Sequence, residues 1–168
     1  MQKDIWIHDG TGWFFMDANG LATSGWLSQN GSTYYLDPDT RRMTEGWRAF
    51  PEGWRYFGTD GSMQSGWAAD NGIWYYLNQD ALMQTGWLLD GETRYYLKES
   101  GAMAQGWCQI NGIWYYFNES GAMMTGQQQI DGVWYYFDGS GAMVTGAQQI
   151  GDKWYYFEES GAMVTGLR

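Results

Sequence analysis

Tryptophan follows glycine at positions 26, 47, 67, 87 and 107, a spacing of 20 with one step of 21. A second aromatic cluster comes seven residues after each: Trp54-Arg55-Tyr56, Trp74-Tyr75-Tyr76, Arg94-Tyr95-Tyr96 and Trp114-Tyr115-Tyr116, with Thr33-Tyr34-Tyr35 after Trp26. Such side chains are poor nucleophiles at neutral pH. What they offer is flat, electron-rich faces. Ring faces set around a cavity attract cations, above all quaternary ammonium groups. A trimethylammonium head has no N–H to donate, so it gains from an apolar box that also supplies negative ring faces.

The register extends beyond the tryptophans. Gly126, Gly146 and Gly166 keep the phase but are followed by Gln127, Ala147 and Leu167, and Met recurs at 43, 63, 83, 103, 123, 143 and 163. Eight units result, starting near Trp6, Trp26, Trp47, Trp67, Trp87, Trp107, Gln127 and Ala147, and together they form one repeat module over 1–168. The extra residue falls in "LDPDTRRM" (36–43), a connector where insertion is cheap.

Each unit reads as a β-hairpin plus connector. Asn111-Gly112, like Asn30-Gly31, Asn71-Gly72 and Asp131-Gly132, supplies the residue pair that a type I′ turn favours. Pro51-Glu52 breaks that pattern. One connector slot holds Gly20, Gly61, Gly101, Gly121, Gly141 and Gly161, which points to positive φ; Arg41 and Ala81 stand there in two units and should bend differently or be strained. A lone hairpin cannot bury its faces. The fold class is therefore all-β, a β-solenoid of eight stacked hairpins.

A turn at Asn111-Gly112 pairs Ile110 with Ile113, Gln109 with Trp114, Cys108 with Tyr115 and Trp107 with Tyr116. Alternation then puts Trp107, Gln109, Trp114 and Tyr116 on one face, and Cys108, Ile110, Ile113, Tyr115 and Phe117 on the other, which reads as plain core. The first face could also be packing between hairpins. However, Thr33 and Arg94 replace the hairpin Trp, and Gln127 and Ala147 replace the Trp after Gly. A core tolerates such losses poorly, because they leave a hole or a buried charge. A pocket tolerates them more easily.

Composition narrows the partners. A formal net charge of −10 disfavours a nucleic-acid backbone or an anionic membrane surface. With one cysteine, Cys108, no internal disulfide can form. No apolar run approaches the ~20 residues of a membrane helix. "MQKDIWIHDG" lacks the apolar stretch of a signal peptide, so the chain reads as a mature part or a piece of a longer export product. His8 stands alone near a turn, the carboxylates scatter through turns, and "DPDT" (37–40) is not followed by a calcium-ligand series. No catalytic residue, metal site or cofactor is expected.

The stretch "GWCQINGIWYYFNESGAMMTG" resembles the choline-binding repeat of pneumococcal-type surface proteins, autolysins and phage endolysins, within the wider group of cell-wall-binding repeats. The resemblance runs from Trp6 to Gly166. It implies a left-handed β-solenoid with ligand held between consecutive hairpins: two Trp from one, a Tyr from the next, and a Met or Leu from the connector. Carried over by position, it implies four choline boxes. These are Trp6, Trp13 and Tyr35, with Leu21 as a fourth wall; Trp47, Trp54, Met63 and Tyr76; Trp67, Trp74, Met83 and Tyr96; and Trp107, Trp114, Met123 and Tyr136. Each tyrosine is the second of its pair, chosen by strand alternation. Trp26 with Thr33 and Trp87 with Arg94 are damaged boxes, and Arg94 would place a cation where the ligand's belongs.

The resemblance implies a non-catalytic, extracellular module that anchors a bacterial or phage protein to choline or phosphocholine groups of cell-wall teichoic acids. Any catalytic domain would lie outside this chain. It also implies a homodimer through terminal repeats. "GQQQIDGVWYYF" and "GAQQIGDKWYYF" resemble repeats of glucan-binding proteins instead. A carbohydrate-binding module, or a structural spacer that binds a host protein, is therefore the alternative.

Overall fold

The turn at Asn111-Gly112 has φ of 51° and 81°, the two positive angles that a type I′ turn requires. It joins Gly106–Ile110 to Ile113–Phe117 in the expected register, with Gln109 opposite Trp114 and Trp107 opposite Tyr116. Asn30-Gly31, Asn71-Gly72 and Asp131-Gly132 repeat these angles. Gly91 and Gly151 open their turns alone, at 63° and 67°, as in a type II′ turn. At Pro51-Glu52, where proline fixes a negative φ, the positive angle moves on to Gly53, at 144°.

The computed structural model describes residues 4–165. Among the described residues, sixteen strands form eight hairpins, and each hairpin is its own two-stranded antiparallel sheet. The first four hairpins are Ile5–His8 with Trp13–Met16, Gly25–Gln29 with Ser32–Leu36, Gly46–Phe50 with Gly53–Phe57, and Gly66–Asp70 with Ile73–Leu77. The last four are Gly86–Asp90 with Thr93–Leu97, Gly106–Ile110 with Ile113–Phe117, Gly126–Ile130 with Val133–Phe137, and Gly146–Ile150 with Lys153–Phe157. Two compact units contain them, Met1–Gln84 and Thr85–Arg168.

From the second hairpin on, the last residue of the second strand builds the core; in the first, Phe15, one place before the strand's end, is the buried residue. Leu36, Phe57 and Leu77 in one unit, and Leu97, Phe117, Phe137 and Phe157 in the other, are buried at 0–1% exposure. Phe117 packs with Ala104 and Ile110, flanked by Tyr96, Cys108, Tyr115 and Met123.

Within each unit, the connectors tie a hairpin to the one before it. Within a connector, Gly121 donates its N–H to the Asn118 carbonyl and Met124 to that of Tyr116. The methionine N–H then reaches back one hairpin: Met43 to the Trp13 carbonyl, Met83 to Trp54, Met123 to Arg94, Met143 to Trp114. The glycine slot takes positive φ throughout, for example 83° at Gly121 and 85° at Gly161. Arg41 and Ala81 take positive φ as well, at 64° and 59°, and are strained. Ala81 closes its turn on Asn78 as the glycines do, whereas the Arg41 connector also bends differently, closing one residue further back on the Asp37 carbonyl.

Crowding adds a second reason for glycine. A Cβ on Gly161 would run into the Met143 thioether, with Cε at 2.9 Å, and one on Gly61 would meet Met43 Cε at 2.6 Å. At Arg41 the crowding thioether is missing from the sequence, because Ala22 holds the methionine slot one connector earlier. Gly161→Ala should therefore displace Met143 and lower the melting temperature by roughly 3–6 °C, for a cost of ~1–2 kcal/mol. A thermal scan unchanged within error would contradict this.

The long connector carries one ion pair. Asp37 accepts from the Thr40 N–H at 2.8 Å and from the Arg48 guanidinium at 2.9 Å. The Thr40 N–H, then Arg48, then the Asp39 N–H hold its carboxyl well below the usual carboxylate range. Folding lowers this pKa, so the contact stabilises fully above about pH 4 and fades as pH falls below it. Asp37→Asn should melt below the parent at neutral pH, and the gap should narrow at about pH 2.5. A gap independent of pH would assign the loss to something other than charge.

Candidate ligand-binding site

Trp107 begins the strand after a glycine and Trp114 sits seven residues on, across the turn. Their rings stand nearly perpendicular, with centroids 6.3 Å apart and planes at 84°. Tyr135 of the following hairpin meets Trp107 edge-on at 4.8 Å, and Met143 is drawn to Trp114 by its backbone hydrogen bond. These four residues, together with Glu159 and Ser160, line an open cavity of about 440 Å³. Glu159 supplies a negative charge near ring faces that already favour a cation.

The first unit builds the same object. Trp6, Trp13, Tyr34 and Met43, with Asp60 beside them, line a cavity of about 310 Å³. Trp6 meets Tyr34 at 5.0 Å, and its Nε1 donates to Gln29 Oε1 at 2.7 Å. Trp47, Trp54, Tyr75 and Met83 stand in equivalent positions, with Trp47 edge-on to Tyr75 at 4.8 Å and Met83 bonded to the Trp54 carbonyl. Here Asp70, at the place of Gln29, accepts from Trp47 Nε1 at 3.2 Å. Burial, with the Asp70 carboxylate next, pushes the Tyr56 phenol up.

The predicted pairs Trp6 with Trp13 and Trp107 with Trp114 are thus brought together on one cavity each, but the other walls shift. Alternation assigns Tyr35, Tyr76 and Tyr136 to the pockets; the structure puts Tyr34, Tyr75 and Tyr135 there. Tyr35 turns to Trp26 of its own hairpin at 4.9 Å, Tyr76 to Trp67 at 5.2 Å, and Tyr136 to Phe157 of the next. The reason is geometric. Stacked hairpins meet unlike faces, so the tryptophan face of one receives the opposite face of the next. That opposite face is therefore not plain core: it supplies the tyrosine wall.

Methionine shifts by one unit for a related reason. The connector that closes a pocket follows the second hairpin and folds back, so Met83 and Met143 stand where Met63 and Met123 were expected. Met63 is bonded to the Thr33 carbonyl and Met123 to that of Arg94. Leu21 is 65% exposed, and Met43 fills the place assigned to it in the first pocket. Of the third predicted box, Trp67, Trp74 and Met83 belong to the first unit and Tyr96 to the second, where Tyr96 meets Trp87 at 5.2 Å. Arg94 is exposed; among the described residues, the guanidiniums found over aromatic rings are those of Arg48 and Arg55.

Sequence reasoning missed Gln29 and Asp70, which orient the first tryptophan, and the rim carboxylates Asp60 and Glu159. A polar residue at the end of the first strand, just before the turn, was the available signal for the orienting pair.

Comparison with known families decides what these pockets belong to. The choline-binding repeat model matches residues 65–105, 104–145 and 144–167, and the cell wall binding repeat model matches 5–22 and 24–39. The chain belongs to the choline-binding repeat family. Among solved structures, this repeat chain is similar to CbpJ from Streptococcus pneumoniae TIGR4, with 34% identity and a TM-score of 0.84 over 97% of this chain and 58% of that one. It is similar to CbpF in complex with ipratropium, with 32% identity and a TM-score of 0.84 over 97% of this chain and 60% of that one. The modular autolysin LytC from Streptococcus pneumoniae has 26% identity and a TM-score of 0.63, over 98% of this chain and 43% of that one. The choline-binding repeats here thus span somewhat over half the length of CbpJ and CbpF. No curated protein sequence matches this chain.

Proposed function

We propose that this choline-binding repeat chain is a non-catalytic module. It holds a protein on the bacterial cell wall by capturing choline or phosphocholine groups of teichoic acids outside the cell. The observation that carries the reading is the cavity of Trp107, Trp114, Tyr135 and Met143, repeated by Trp6, Trp13, Tyr34 and Met43. Each offers ring faces and a carboxylate at the mouth, and no donor is needed for a methylated ammonium. CbpF in complex with ipratropium supports it, since ipratropium is a quaternary ammonium compound.

Single sites for so small a ligand bind weakly, and several on one polymer supply the avidity. The resemblance adds that 1–168 acts as one module, that the hairpins follow a left-handed solenoid path, that catalysis resides in other domains, and that terminal repeats pair two copies. Exposed Trp154 and Tyr156, at 69% and 57%, fit such pairing, which sedimentation at two concentrations would test.

The functional test is a choline titration that follows tryptophan fluorescence. Saturable quenching is expected, together with release of the protein from choline-bearing walls by free choline. Retention on dextran with no response to choline would replace this reading with a carbohydrate-binding one.

A further inference from the structure

The second hairpin breaks the repeat in a coordinated way. The first cavity is lined by Trp6, Trp13, Tyr34, Met43 and Asp60. The matching positions one unit on are Trp26, Thr33, Arg55, Met63 and Asp80. Two walls have changed there: a tryptophan has become threonine and a tyrosine arginine. The absence of an indole at Thr33 makes room, and Arg55 is long enough to use it.

The Arg55 guanidinium does use it. Its Cζ lies 5.4 Å from the centre of the Trp26 ring and 5.6 Å from that of Phe50, and these two rings are themselves stacked at 5.0 Å. Nη1 reaches Met63 Sδ at 3.9 Å and donates to the Asp80 carbonyl. Arg55 thus starts on the tyrosine wall and touches the first tryptophan, the methionine wall and the rim residue. A group with those contacts occupies the middle of the box. Its Nε is closed off from solvent and from any acceptor, so the guanidinium is held by ring faces and one end only.

A third departure fits the same picture. The connector slot that crowds the methionine elsewhere is Ala81 here, so a Cβ stands where other units leave space for the thioether. Arg48, directly opposite Arg55 in the hairpin, lies with its Cζ 4.7 Å from the Tyr35 centroid and its charge paired to Asp37.

We propose that Arg55 is the resident cation of the Trp26 box: the chain's own guanidinium takes the place of an external ammonium, so this site is closed to ligand and this junction is formed without one. The claim stands on cation–π geometry. Only the statement that a ligand would otherwise enter rests on the function proposed above. A cleft that binds alkylammonium ions weakly should open when Arg55 is shortened.

The test uses the whole chain and tetramethylammonium chloride. Arg55→Ala should melt roughly 3 °C or more below the parent. Millimolar tetramethylammonium should restore part of that loss beyond any gain it gives the parent, and Arg55→Ala combined with Trp26→Phe should lose the extra gain. Equal gains in parent and variant would overturn the proposal. A second readout needs no destabilised protein. Trp26→Phe in the otherwise native chain should leave the ligand-induced fluorescence change unaltered, because Trp26 faces its own arginine. If that change falls by one site's share, Trp26 faces an open pocket and Arg55 is not its occupant. Failure of choline binding would show instead as no fluorescence response in the parent, with the melting comparison still decisive for Arg55.

Discussion

Trp114→Ala should abolish one binding site while leaving the fold intact. The indole forms one full wall of the Tyr135–Met143 cavity and is 40% exposed, so truncation removes part of its burial without leaving an enclosed hole. A desolvated cation–π wall contributes about 2 kcal/mol, which is roughly a 30-fold loss of affinity at that site. In a calorimetric titration with choline, the number of sites should fall by one. The melting temperature without ligand should fall by about 4–8 °C, the effect of ~2 kcal/mol in a chain this size, with a cooperative transition retained. A variant that binds choline with unchanged stoichiometry would show that the cavity is not a site. One that unfolds would show that Trp114 is a packing residue.

The second large effect lies beneath the pockets. Phe117→Ala should cost about 3–5 kcal/mol and lower the melting temperature by roughly 10 °C. Phe117 is fully buried, joined to Ala104 and Ile110, and lies 6.0 Å from the Trp87 ring. Its removal leaves a hole between a hairpin and its connector, where backbone hydrogen bonds on both sides resist collapse. Choline should rescue little of this, since the ring does not line the cavity. An unfolding midpoint within about 2 °C of the parent would mean that the core is far more adaptable than its packing indicates.

Much of this was legible in the chain itself. The 20-residue period, the hairpins and the residue-by-residue pairing around Asn111-Gly112 follow from turn chemistry and alternation, both of which are local. So does the pairing of Trp107 with Trp114 on one face. What local reasoning does not supply is which face of the next hairpin arrives opposite. Alternation therefore chose Tyr136, on the tryptophan face, whereas stacking of unlike faces presents Tyr135. The methionine offset has the same origin. Met143 is close in sequence to the seventh hairpin, yet its N–H is bonded to the sixth, a return path that no periodicity encodes.

The connector slot illustrates a choice that sequence narrows but does not make. Arg41 and Ala81 had to be strained or differently bent: Ala81 is strained in the common turn, held by its N–H to Asn78, while Arg41 is both, since its N–H closes on Asp37 one residue further back. Arg55 gives no local signal, because the cluster Trp54-Arg55-Tyr56 keeps both end aromatics and reads as nearly complete. Its role belongs to the preceding hairpin's box, through Trp26, and only the stack reveals that.

Crystals soaked in saturating choline test the central claim most directly. Density for a trimethylammonium group should lie against the rings of Trp107, Trp114 and Tyr135, and again against Trp6, Trp13 and Tyr34, with none in the box that Arg55 fills. Aromatic walls unchanged and both cavities empty at saturation would contradict the account.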